Sequence, residues 1–214
     1  MLTDYYAAYG LRLRTPRLEL RLPHIDDLAV LADVARDGIH DPADQPFSVP
    51  WTDWAPPVRG RAVITYHLAL IASSTPERWE LPFAVFFQGR PIGIQGLRAE
   101  RFAVLREVDT GSWIGRRFHG QGLGTEMRAA VLDLAFDGLD AQFATSAARE
   151  DNAGSHAVSR KLGYVHDGIK REQIRDQAAT MIRLRLSREA WQRHRSVPVT
   201  IDGLDACAAD FGIA

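Results

Sequence analysis

The sequence predicts a mixed α/β domain with much antiparallel pairing. Three observations carry that prediction. Runs of period-2 alternation and runs of helical spacing follow one another in the order βααββ(β)αβαββ. A turn at Gln88-Gly89-Arg90 joins two apolar runs into a hairpin. The chain has 214 residues, 46% of them hydrophobic and 25% charged, which is the make-up of one globular domain able to bury a core unaided.

The elements can be justified in turn. Residues 11–22, LRLRTPRLELRL, alternate leucine with arginine and break at Thr15-Pro16, the pattern of a half-buried strand. From His24 to Asp37, Ile25, Leu28, Leu31, Ala32 and Ala35 recur at helical spacing, with Asp26 and Asp27 in the first turn where acids suit the helix dipole. Residues 38–57 carry five prolines and the aromatics Phe47, Trp51 and Trp54, so an oily loop is expected. A second helix is expected from about Val58 to Ala72. Leu81–Phe87 and Ile92–Leu97 form the hairpin, and Glu107 to Ile114 is a further strand. Leu123 to Leu139 is the clearest helix, with Met127, Ala130, Val131, Leu134 and Ala135 on one face. Then come a strand (Gln142–Ala147), a helix (Ala153–Leu162) and a closing strand pair (Tyr164–Arg171 and Ala178–Leu186). Residues 1–191 make the domain, and the tail 192–214 packs back on it or on a dimer partner.

Charge and cysteine content narrow the function. A net charge of −1 provides no field to hold a polyanion, so nucleic acid is not an expected partner. The one cysteine, Cys207, cannot form an internal disulfide, and no Cys/His spacing suggests a metal. Met1 to Leu11 lacks the apolar core of a signal peptide, and no run approaches the roughly 20 apolar residues of a membrane span. A cytoplasmic protein is expected.

The most informative stretch is Trp113-Ile114-Gly115-Arg116-Arg117-Phe118-His119-Gly120-Gln121-Gly122-Leu123-Gly124-Thr125. A strand runs into a glycine-rich turn from which a long helix opens. There the first N–H groups lack partners and the dipole end is positive, so the site suits phosphate. Glycines at 120, 122 and 124 allow close backbone approach, and Thr125 adds a hydroxyl. A plain tight turn is the bland alternative. A Walker A loop would need Gly-Lys-Ser/Thr, and there is no lysine here. A dinucleotide fingerprint needs G-x-G-x-x-G, and its third position is Thr125 in one register and Met127 in the other.

With these residues the chain resembles the GCN5-related N-acetyltransferase (GNAT) superfamily. Its Arg/Gln-x-x-Gly-x-Gly/Ala signature can be read as Arg117-x-x-Gly120-x-Gly122, or, counting from the helix start, with His119 at the first position and Gly122 and Gly124 as the glycines. Asn152-x-x-Ser155-x-x-Val158-x-x-Lys161-Leu162-Gly163-Tyr164 resembles the family's second segment, and Thr15-Pro16-Arg17-Leu18-Glu19-Leu20-Arg21 the first strand of the subgroup of ribosomal-protein N-terminal acetyltransferases. The three segments span about residues 12–191.

The resemblance implies a splayed central sheet flanked by helices, with acetyl-CoA or another acyl-CoA in the V between strands Glu107–Ile114 and Gln142–Ala147. Pantetheine would pair with the backbone near Trp113 and Ile114. The pyrophosphate would meet the amides of His119, Gly120, Gln121, Gly122, Leu123, Gly124 and Thr125. It implies direct attack of a primary amine on the thioester, without a covalent enzyme intermediate and without a metal. The acceptor is a small molecule or a protein N-terminus.

Several residues have two readings. Asn152 serves as an N-cap or contacts the cofactor. Ser155 is an ordinary first-turn serine or faces the thioester, with its hydroxyl toward the leaving sulfur. Lys161 reaches a cofactor phosphate or lies on a solvated face. Glu107 and Asp109 share one strand face, where an acid needs a partner or a task, and either is a candidate base. Phe47, Trp51 and Trp54 wall an acceptor channel or plug the sheet. A CoA-binding module without turnover, and a bulkier donor such as succinyl-CoA, remain the alternatives.

Overall fold

The computed structural model describes residues 1–213. Nine strands form one sheet: β1 (Arg12–Arg14), β2 (Leu18–Arg21), β3 (Arg78–Phe87), β4 (Arg90–Glu100), β5 (Glu107–Ile114), β6 (Phe143–Arg149), β7 (Val165–Ile174), β8 (Gln177–Ser187) and β9 (Thr200–Asp202). Their spatial order is β7-β8-β6-β5-β4-β3-β2-β1-β9. Among the described residues six α-helices flank it: α1 (Ile25–Asp37), α2 (Pro56–Ser73), the single turn α3 (Phe102–Leu105), α4 (Leu123–Asp133), α5 (Ala153–Lys161) and α6 (Arg188–His194).

Alternation along β3 explains why both faces are covered. Leu81, Phe83 and Val85 enter the main core with Leu20, Met127, Phe136 and Trp191. Ala84 and Phe86 point the other way, into a smaller cluster with Leu28, Leu31, Ala35 and Val63. Every neighbouring pair is antiparallel except β5 and β6, which are parallel and joined by the crossover that contains α4.

That parallel pair is also short. Its register runs only over Glu107–Asp109 against Phe143–Thr145. Where the ladder stops, hydroxyls take over the backbone carbonyls. Thr110 Oγ1 donates to Thr145 O at 3.2 Å, and Ser146 Oγ to Thr110 O at 3.2 Å. Side chains inserted between two strands hold them apart, so β5 and β6 diverge toward Ile114 and Arg149.

Two expected elements come out differently. Residues 11–22 are two strands, β1 and β2, paired antiparallel with Leu13 opposite Leu20. Thr15-Pro16 is therefore a hairpin turn. The helix expected to reach Leu139 is α-helical only to Asp133 and continues as a π turn over Leu134–Gly138. Sequence periodicity does not separate the two because the apolar face continues through both. At Gly138 a Cβ would come within 2.8 Å of the Leu204 side chain, so the tail packs closely on this turn. The tail itself adds β9 to β1 and buries Phe211 against Trp79, with ring centroids 5.0 Å apart.

Candidate active site

A cleft of about 1410 Å³ opens where β5 and β6 part. Ligand pockets are typically about 300–1,000 Å³, so this one has room for an extended ligand and a second reactant.

At its upper end lies the glycine turn. Gly120 and Gly122 have φ of 75° and 77°, a region that costs other residues about 1–2 kcal/mol, and this backbone turns the chain into α4. The first bonds of that helix are Thr125 N–H and Glu126 N–H to Gly122 O, at 3.2 and 3.1 Å. The amides of Gly122, Leu123 and Gly124 come before the first bonded turn, which makes the positive end of the helix a seat for an anion. The His119 amide, expected among the phosphate-facing group, is already engaged. Its N–H is used inside the loop, on Arg116 O at 3.1 Å, while its ring Nε2 meets Ile114 O at 3.1 Å. The ring thus ties the turn to the end of β5. The Gln121 side chain also stays within the turn, with Nε2 donating to Arg117 O at 3.1 Å. Gly120 and Gly122 are the left-handed glycines, whereas Gly124 lies inside α4. A Cβ on Gly122 would face the Arg17 guanidinium at 3.5 Å, not the cleft, so the requirement for glycine there is conformational.

A clamp hidden from sequence reading holds this turn. Glu126, buried in the first turn of α4, accepts from Thr15 Oγ1 at 2.6 Å and from Arg17 N and Nε at 3.0 and 2.6 Å. Arg17 Nη1 donates in turn to Gln121 O at 3.0 Å. The Thr15-Pro16-Arg17 turn is thereby fastened to the glycine loop.

Farther down, the two walls bring the other expected residues together. Asn152 caps α5, its Oδ1 accepting from Ser155 N–H at 3.0 Å. Ser155, Thr125 and Lys161 line the cleft. No hydrogen bond of the Ser155 hydroxyl occurs among the described residues. Opposite, Glu107 and Asp109 also line the cleft, and neither carboxylate is free. Asp109 pairs with Arg98 at 2.5 Å and accepts from Thr145 Oγ1 at 2.9 Å, while Glu107 pairs with Arg185 at 3.1 Å. Tyr164 is buried at the splay point, its hydroxyl 3.2 Å from Thr110 Oγ1, and burial pushes its pKa up to about 12.

The aromatic loop is only partly in the cleft. Phe47 lines it. Trp51 packs behind, 5.4 Å from Phe47 and 6.0 Å from Trp113, and so belongs to the smaller core. Trp54 is 43% exposed and lines nothing there. A channel walled by all three aromatics is therefore not what forms. Instead the loop is fastened over the cleft by Asp53, which takes Arg175 from the β7–β8 turn in two bonds of 2.7 Å.

Cys207 lies away from the cleft, buried, with its thiol pushed up to about 11 by burial and then by Asp210. Among the described residues no group of three or more His, Cys, Asp or Glu is placed to hold a metal ion. No described helix is long and apolar enough to cross a membrane.

The family described as acetyltransferase (GNAT) domain matches residues 17–165. Among solved structures, Mycobacterium smegmatis RimJ in complex with CoA-disulfide shares 19% identity at a TM-score of 0.69, covering 95% of each chain. RimL, a ribosomal L7/L12 alpha-N-protein acetyltransferase in complex with coenzyme A, shares 18% identity at a TM-score of 0.65 over 82% of this chain and 97% of that one. A GNAT-family acetyltransferase from Bacillus anthracis gives 12% identity and a TM-score of 0.63, over 83% and 99%. At these identities what is shared is the fold.

Proposed function

The chain belongs to the GNAT acetyltransferase family and is an acyl-CoA-dependent N-acyltransferase, and on that premise we propose that it moves an acetyl group from acetyl-CoA to a primary α-amine in the cleft between β5 and β6. The observation that carries this reading is the parting of those strands at Thr110 and Ser146, directly below an amide-lined helix start.

In this reading the free amides of Gly122, Leu123 and Gly124 hold the pyrophosphate, with the Thr125 hydroxyl beside them. Gly120 and Gln121 shape the turn. The open edge of β5 at Trp113 and Ile114 pairs with the pantetheine amides. Lys161 offers its ammonium to a cofactor phosphate, and Asn152 orients the start of α5. When bound, acyl-CoA supplies an acyl group activated as a thioester. The Ser155 hydroxyl, without a hydrogen-bond partner among the described residues and at the start of a helix, donates to the sulfur.

The two acids bear on the acceptor. With Asp109 and Glu107 both engaged by arginines, proton removal passes from the amine through water to this carboxylate pair. An α-amine titrates at about 7.7–8.0 and a lysine at about 10.4, so the α-amine needs far less help. That difference, with Phe47 as the apolar contact, favours a protein N-terminus, the substrate class named for RimL. The reading retains residues 1–191 as the catalytic domain, followed by a tail, 192–214, that packs on it or on a dimer partner. It also includes a cytoplasmic homodimer with no nucleic-acid partner, in keeping with the balanced charge, and sedimentation of the purified chain tests the stoichiometry.

The test is turnover. Incubation with acetyl-CoA and a panel of peptides and small amines, read by released thiol, should show release that depends on an α-amine. Ser155→Ala should lower kcat by about tenfold to a thousandfold with donor affinity little changed. Binding of coenzyme A with no release for any amine would make the chain a CoA-binding module instead. Faster release from succinyl-CoA than from acetyl-CoA would move the donor to the bulkier class.

A further inference from the structure

Helix α4 buries three charges. Two have counter-ions: Glu126 has Arg17, and Asp133 has Arg195 at 2.9 Å. The third, Arg128, is 5% exposed and has none, since among the described residues no carboxylate lies within 4.0 Å of it. Its one described hydrogen bond runs from Nη1 to Ser159 Oγ at 2.9 Å, and its Nε is buried without a partner. A guanidinium remains charged in proteins, and an unpaired buried charge is costly. Such a group calls for an anion that arrives with a ligand. Arg128 does line the cleft.

Its neighbours locate it between the two walls. On the α5 side Ser159 holds the guanidinium and donates to Ser155 O at 3.0 Å. On the β5 side the titratable groups that bear on it are Tyr164 and Asp109, the first bound to Thr110 and the second to Arg98. Burial pulls the guanidinium below its ordinary value, and neither neighbour cancels its charge. The cation therefore sits near the splay point at Thr110, linked through Ser159 to the Ser155 backbone.

We propose that Arg128 is the cation that receives the coenzyme A thiolate as it leaves. This rests on the donor lying in the β5–β6 cleft. The amine nitrogen forms its bond to the acyl carbon, the carbon–sulfur bond breaks, and the electron pair departs on sulfur. The proton lost by nitrogen passes through water to the Asp109 and Glu107 carboxylates. The thiolate is then held opposite the guanidinium until it leaves, and Ser155 hydrogen-bonds to it. Charge appears on sulfur only as the bond breaks, so the interaction favours the transition state over the bound thioester.

The probe is coenzyme A itself, with desulfo-coenzyme A as the control lacking sulfur. The bound thiol is titrated by its ultraviolet thiolate absorbance. Cys207, at about 11, stays out of the window. In the wild type the midpoint should lie about 1 or more below that of free coenzyme A, equivalent to roughly tenfold tighter binding of the thiolate. Arg128→Met should return it to the free value, and Arg128→Lys should keep part of the shift. Desulfo-coenzyme A should bind wild type and Arg128→Met equally. The melting temperature of Arg128→Met should equal or exceed that of the wild type, because an uncompensated charge has been removed, and this identifies a folded variant. A wild-type midpoint equal to that of free coenzyme A, or one unmoved in Arg128→Met, overturns the proposal. So does equal weakening of both ligands, or a loss confined to acyl-CoAs with a terminal carboxylate. Failure of both ligands to bind the wild type would instead overturn the cleft reading itself.

Discussion

Replacing Glu126 by alanine tests whether the glycine turn is held in shape from outside. The carboxylate, 6% exposed, accepts from Thr15 Oγ1, from the Arg17 amide and from two nitrogens of the Arg17 guanidinium. Charge-assisted bonds of this kind contribute about 1.5–3 kcal/mol each, and they are not additive. Breaking a fully buried pair costs about 3–5 kcal/mol, but the Arg17 side chain is 45% exposed and regains water once released. What stays uncompensated is the Arg17 amide and the Thr15 hydroxyl, so the loss should be about 2–3 kcal/mol. In a domain of this size that lowers the melting temperature by roughly 4–12 °C. Arg17 Nη1 would also lose its fixed approach to Gln121 O, leaving the loop to be ordered at the expense of binding. Calorimetry should then show coenzyme A binding weakened by about tenfold in the fraction that remains folded. Glu126→Gln, which keeps the shape and part of the bonding, should fall between. Unchanged coenzyme A affinity in a destabilised Glu126→Ala would refute the idea that this clamp organises the cofactor seat. An unchanged melting temperature would refute the energetic argument.

Other outcomes follow from the same geometry. Gly122→Val puts a β-branched residue at φ 77° and should weaken coenzyme A binding by about tenfold or more while the fold persists; full affinity by titration calorimetry would remove the turn from the cofactor site. Asp109→Asn should lower kcat by about a hundredfold and shift the alkaline rise of the rate profile, whereas a change under about tenfold would leave water as the sole proton acceptor. His67 is buried with Nδ1 on Val63 O at 2.7 Å and Nε2 without a partner, and burial holds its pKa below 6.5. Because the folded value lies below the unfolded one, stability is present above about pH 6.5 and is lost as pH falls from there through the folded value. His67→Leu should flatten that acid limb of melting temperature against pH, and an identical slope in both proteins would clear His67 of it.

Much of this was legible in the residues themselves. Strand β5 and the start of α4 follow from alternation and from the glycines at 120 and 122, because period and turn chemistry are local properties. The Asn152 cap is likewise local, a side chain answering an amide three residues on. The aromatics of the loop 38–57 could be recognised as apolar, but their directions could not be read. Only packing separates Phe47 in the cleft from Trp51 behind it and Trp54 outside.

The tertiary structure alone decided how charges are matched. Glu126, Arg128 and Asp133 look like ordinary polar punctuation on α4, yet the helix is buried on nearly every side. The one sequence signal was the small number of polar positions between Leu123 and Leu134, too few to form a solvated face. Their partners, Arg17 and Arg195, lie 109 and 62 residues away. Such pairings depend on which elements the fold brings together, and no local period encodes that. The parting of β5 and β6 is of the same kind. Thr110, Thr145 and Ser146 are common strand residues, and they separate the strands only because the parallel crossover brings them face to face.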